Sequence, residues 1–171
     1  MKILLIAIPL SALLAAADNP ACRPLMDAER KLRTTPVHIY SAQTAIFTGG
    51  KPRTSESIYV NNKCYVNIQG TWKSSPVPWA TDKEKKDANL GAKNSCNMVG
   101  DDSVNGEPAI RYNTHTEIPD AGTVDSQIWV SKARGLTLKA EVDTNVGGTA
   151  GKSHSSVRYD YTNVQAPAGL P

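Results

Sequence analysis

The chain has 171 residues, with Lys+Arg 19 against Asp+Glu 16 and a formal net charge of +3. That length suits one domain with one core, since domains peak near ~100–150 residues. The near balance of charge, with acids and bases alternating along the chain, excludes the basic stripe of a nucleic-acid binder.

Residues 1–17 read as an export signal. Lys2 precedes the apolar run Ile3 to Leu14, and Ala15-Ala16-Ala17 supplies small residues for cleavage after Ala17. The run is shorter than the roughly 20 apolar residues a spanning helix needs. A lipid anchor on Cys22 fits poorly, because Asn19-Pro20-Ala21 stands where a lipoprotein signal wants aliphatic and small residues. The mature protein is then one domain over residues 18–171. It is periplasmic or secreted and does not span the membrane.

Pro20 to Arg33 reads as a short helix, with Pro24 in its first turn and Leu25, Ala28 and Leu32 on one stripe. Pro36 ends it. Val37 to Phe47 follows as a strand, with Val37, Ile39, Ala45 and Phe47 in one phase. Asn61-Asn62 and Gln69-Gly70 then mark two tight turns between short, sequentially paired antiparallel strands, because Asn tolerates the positive φ such turns require. Thr81 to Cys96 is expected to be a second helix, opened by a Thr81/Glu84 capping box, with the charged run Asp82 to Asp87 in solvent. Met98 to Asp102 is a short strand. Asn105-Gly106 turns the chain into the longer strand Ala109 to Ile118.

Residues 122–165 hold the clearest pattern. Val124, Ser126, Ile128 and Val130 oppose Asp125, Gln127, Trp129 and Ser131. Leu136, Leu138, Ala140 and Val142 oppose Thr137, Lys139, Glu141 and Asp143. Val157, Tyr159 and Tyr161 oppose Arg158, Asp160 and Thr162. Period two means strands with one apolar and one polar face. The phase of Trp129, opposite to Ile128, leaves open whether it packs or marks an exposed contact. The fold class is therefore α+β: an antiparallel sheet with about two helices on its apolar face.

In an oxidising compartment the three cysteines allow one disulfide. Cys22–Cys96 is the expected pair, tethering the two helices, while Cys64 reads as a buried small hydrophobe. No CxxC spacing argues for a metal. Ser153-His154-Ser155-Ser156 is adjacent only in sequence, and Gly-x-Ser-x-Gly is absent. Asp101-Asp102 has no further ligands in sequence, and Asp143 to Gly147 is a calcium-loop fragment without its later Glu. His38, His115 and His154 read as lone surface histidines. No catalytic residue, metal or cofactor is expected.

Several stretches resemble the periplasmic lipoprotein-carrier fold of the LolA/LolB-like group. They are the Asn-Asn turn leading to Thr71-Trp72-Lys73, then Val104-Asn105-Gly106-Glu107-Pro108-Ala109, then Asp125-Ser126-Gln127-Ile128-Trp129-Val130-Ser131-Lys132 with Gly135-Leu136-Thr137-Leu138-Lys139-Ala140-Glu141, and the ending Ser156 to Val164. The resemblance implies a curved sheet, an incomplete half-open barrel, with an apolar groove between sheet and helices that holds a lipid or other hydrophobic ligand. Its lining would come from Val124, Ile128 and Val130, from Leu136, Leu138 and Val142, and from Val157, Tyr159 and Tyr161. The expected function is an exported, non-enzymatic binding protein. The alternative is an envelope protein-interaction module acting through the exposed sheet face.

Overall fold

The computed structural model describes residues 19–45, 50–75, 91–146 and 151–170. The signal segment 1–17, the expected helix body 81–90 and the Gly-rich stretch 147–150 lie outside them.

The Asn19 side chain accepts from the Ala21 N–H at 3.0 Å and so caps a 3-10 turn, Pro20–Cys22. Helix α1, Arg23–Leu32, continues from it with Pro24 in its first turn. Leu25, Ala28 and Leu32, spaced three and four residues apart, are buried on one stripe. Arg30 and Lys31 in the last turn suit the negative end of the helix dipole.

Nine strands form one antiparallel sheet. They are β1 (Val37–Ala45), β2 (Arg53–Val60), β3 (Lys63–Ile68), β4 (Thr71–Ser75), β5 (Lys93–Val104), β6 (Glu107–Ile118), β7 (Gly122–Ser131), β8 (Thr137–Val146) and β9 (Gly151–Asp160). The order is β4-β3-β2-β1-β9-β8-β7-β6-β5. Two sequential meanders are therefore joined where β9 pairs with β1, Ile39 opposite Tyr159 and Ser41 opposite Val157. The sheet is open, with β4 and β5 as its edges. The β2–β3 turn has Asn61 at φ 53° and Asn62 at φ 59°, the paired left-handed residues of a type I′ hairpin.

α1 packs on β7 and β8. Beneath it Leu25, Ala28, Tyr112, Ile128, Val130 and Ala140 form the main core, with Val142 and Val157 alongside. The second cluster comprises Ala109, Trp129 and Leu138, with half-buried Val104 against it. Tyr112 is fully buried, and its hydroxyl finds no hydrogen-bond partner among the described residues. Desolvation of that phenol raises its pKa. An unsatisfied buried hydroxyl costs about 1–3 kcal/mol. Tyr112→Phe is therefore expected to leave stability unchanged or raise it by up to about 1 kcal/mol, read from urea midpoints. A loss above about 1 kcal/mol would mean that the hydroxyl has a partner after all.

The structure corrects several expectations. Among the described residues there is one α-helix, not two. The expected helix through Cys96 gives way to β5 from Lys93, because Asn94, Cys96 and Met98 alternate onto the face of their partners Thr116, Thr114 and Tyr112. The Met98–Asp102 strand is the middle of that longer one. Cys22 and Cys96 are bonded, with Cα atoms 6.3 Å apart, so the disulfide ties the start of α1 to an edge strand and not to a second helix. The Asn19 side-chain amide donates to the Cys96 carbonyl at 3.0 Å beside it.

Candidate ligand cleft

The sequence-expected groove residues divide among four places. Ile128, Val130, Val142 and Val157 are buried in the main core, with Val124 and Tyr159 half-buried at its margin. Leu138 faces the other way and packs with Trp129 and Ala109. The reason is a register shift: Trp129 lies opposite Lys139, but Val130 lies opposite Thr137, leaving Leu138 as the extra residue of a bulge. Leu136 is buried at the β7–β8 turn, where its carbonyl accepts from the Ser131 N–H at 2.8 Å. Tyr161 lies just beyond β9, and its hydroxyl donates to the Thr137 carbonyl at 2.7 Å.

Trp129 is 7% exposed, which answers the question its phase left open. Its Nε1–H donates to Asp102 at 2.9 Å, and the Lys139 ammonium sits 4.7 Å from the ring centre. That N–H and the Ser103 backbone N–H hold the Asp102 carboxyl below the usual carboxylate range. The histidines are not lone, which corrects a second expectation. His38 Nε2 meets Glu56 at 3.0 Å and stacks on Tyr40, with ring centres 4.1 Å apart. His115 pairs with Asp125 at 2.7 Å and His154 with Asp143 at 2.8 Å. The sheet register places His115 and His154 directly across from their carboxylates, and His38 diagonally from Glu56, two residues from its direct partner Ile58. Among the described residues no group of three or more His, Cys, Asp or Glu could hold a metal ion.

Among the described residues, one concavity of about 340 Å³ lies on the polar face between Asn113, Asp125, Glu141 and His154, and another lies at the end of α1. A cleft of about 400 Å³ opens between the C-terminus of α1 and the β2–β3 hairpin. Thr34, Thr35 and Pro36 form one wall, and both threonine hydroxyls donate to the Lys31 carbonyl. Tyr59 and Cys64, directly opposite each other in the β2–β3 ladder, form the floor. Val60, the Asn61-Asn62 turn and Lys63 complete the far side, and Arg33 closes the near one.

The floor is chemically quiet. Burial pushes the Tyr59 hydroxyl far above the usual phenol range, helped by its hydrogen bond to the Cys64 thiol. Burial likewise raises the Cys64 thiol, outweighing its hydrogen bonds to Tyr59 and Ser75. A protonated thiol is a poor nucleophile. Tyr159 stands close enough to Tyr59 to raise it electrostatically, so one sequence-expected residue lies next to the cleft. None of the nine lines it.

One polar contact braces the last turn of α1 itself, and one ties α1 to the β7–β8 turn. Arg33 pairs with buried Glu29 at 3.3 Å. The Lys31 ammonium donates to the Arg134 carbonyl at 3.0 Å. Gly135 permits that approach: it sits at φ +61°, and a Cβ there would lie 2.8 Å from the Lys31 nitrogen.

An open antiparallel sheet with a disulfide-tethered helix on one face and a cleft at the helix end is an α+β fold. Solved structures similar to it include LprF from Mycobacterium bovis, at 12% identity over 88% of this chain and 95% of that one, with a TM-score of 0.45. MucB in complex with MucA(peri) matches at 12% identity over 86% of this chain, with a TM-score of 0.49, and this chain spans 60% of that one. A LolA superfamily protein from Nitrosomonas europaea matches at 10% identity over 82% of this chain and 91% of that one, with a TM-score of 0.30. No protein-family model matches the chain, and no curated protein matches it. Likeness at this level concerns the course of the chain and carries nothing about ligand or partner.

Proposed function

We propose that this is an exported, non-enzymatic binding protein that seats a small hydrophobic or amphipathic ligand between the sheet and the end of α1. One observation carries the reading: the cleft of about 400 Å³, with Tyr59, Val60 and Pro36 supplying apolar surface. Ligand sites typically occupy about 300–1,000 Å³ and are lined by apolar groups with a few polar ones. The space under α1 itself is packed, with Tyr112 at 0% and Ile128 at 1% exposure. A ligand therefore enters at the helix end, past Tyr59 towards Tyr159, and does not lie along the face that α1 covers.

Native mass spectrometry of the protein purified from the cells that export it tests this. The expected result is a co-purified amphiphile that tryptophan substitution of Tyr59 or Val60, filling the cleft, removes. Ligand-free protein that also fails to take up added alkyl amphiphiles would overturn it. The alternative reading, contact with a protein partner, has one observation in its favour. Met98 and Val99, 51% and 42% exposed, are the exposed large apolar side chains among the described residues, and both lie on edge strand β5. Edge strands offer unpaired backbone groups to a further strand.

A further inference from the structure

We infer that the cleft selects an amphipathic anion, a carboxylate or phosphate head on an apolar chain, and that Lys63 is the residue that reads its charge. The inference rests on the binding reading above and specifies the ligand class for that same cleft. Two cations, Arg33 and Lys63, line the cleft, and no carboxylate does among the described residues. A concave site lined by one sign of charge concentrates counter-ions of the other.

The two cations are not equivalent. Arg33 is committed to Glu29 at 3.3 Å, so much of its field is already balanced. Lys63 is exposed and has no ion pair among the described residues. It follows directly on the type I′ turn and pairs with Val60 in the ladder. Charge and apolar surface thus sit side by side at the mouth. The threonine hydroxyls on the opposite wall spend their protons on the Lys31 carbonyl, so the ammonium, with the neutral Asn61 and Asn62 amides beside it, is the charged donor left to an anionic head. The apolar chain lies on Pro36, Val60 and the Tyr59 ring. Tyr59 stays neutral and offers no charge to repel the head, because burial keeps its proton on.

The test is a titration of the full chain with three probes below their micellar concentrations: dodecyl phosphate, dodecyl maltoside and inorganic phosphate. Dodecyl phosphate is expected to bind at least about tenfold more tightly than dodecyl maltoside, an advantage that falls as salt rises from about 0.05 M to about 0.5 M. Lys63→Glu should lower affinity for dodecyl phosphate by about tenfold or more and leave dodecyl maltoside unchanged. As an exposed turn-side residue its replacement spares the fold, whereas an Arg33 substitution would strand buried Glu29, and circular dichroism of the Lys63 variant checks this. Equal binding of phosphate-headed and neutral amphiphiles overturns the charge inference while leaving the binding reading intact. Inorganic phosphate binding as tightly as dodecyl phosphate overturns the amphipathic character. Binding of none of the three overturns both this inference and the reading beneath it.

Discussion

Replacing the Cys22–Cys96 disulfide by the pair Cys22→Ala and Cys96→Ala is expected to lower stability by about 4 kcal/mol. The bridge spans a separation of 74 residues, and a loop of that length removes about 4 kcal/mol of chain entropy from the unfolded state. Both cysteines are buried, at 0% and 9% exposure, so alanine also leaves small voids in the main core. For a domain of this size the melting temperature should drop by roughly 8–16 °C. Calorimetry of the oxidised protein, of the same protein in a thiol reductant and of the double variant checks it. The reduced and double-variant proteins should melt together, well below the oxidised form. A change under about 1 kcal/mol would mean that α1 docks on β7 and β8 without its tether. The cleft adds a second readout. Its near wall is the end of α1, which Lys31 ties to the Arg134 carbonyl. That contact is exposed and weak, so loss of the bridge should also weaken ligand uptake.

Trp129→Ala is expected to cost about 3–5 kcal/mol. The indole fills the second cluster against Ala109 and Leu138 and is 7% exposed. Ala109, Leu138 and half-buried Val104 are too small to close the void it would leave. Trp129→Phe keeps most of the ring volume and should cost about 1–2 kcal/mol. Its lost N–H bond adds little, because Asp102 lies in solvent and rehydrates. Lys139→Ala, which removes the cation above the ring, should cost no more than about 1 kcal/mol. Urea midpoints of the three variants rank these terms. An alanine variant within about 1 kcal/mol of the parent would return Trp129 to the role of an exposed contact residue.

Much of the architecture is legible in the residue order. Alternation within β6 to β9 identifies strands, and Asn61-Asn62, Gln69-Gly70 and Asn105-Gly106 mark turns that the structure closes with positive φ at those residues. These are local signals, carried by the period of a pleated chain and by which side chains tolerate the left-handed region. The pairing of Cys22 with Cys96 is correct although Cys96 lies on β5 and not in the second expected helix. That helix takes its frame from the Thr81/Glu84 cap and the charged run after it, and the frame does not extend to Cys96. From Lys93 onward the ladder with β6 decides the structure and takes Cys96 opposite Thr114.

Trp129, Leu138 and the cleft show why the rest is not legible. Leu138 keeps perfect alternation with Ala140 and Val142, yet it faces the other cluster, because the bulge opposite Trp129 and Val130 changes phase without leaving a mark in composition. The cleft gathers α1's end, the close of β2 and the start of β3. The Val37–Tyr59 and Tyr59–Cys64 registers bring them together. Strand identity from β6 to β9, turn positions and the stripe of α1 were thus set by the chain's local preferences, whereas the start of β5 was set by its ladder with β6. Which face each residue meets, and that β9 returns to lie beside β1, were decided by pairing between distant segments. A strand's period is a property of its own backbone, whereas its phase and its neighbours depend on which other surface buries it.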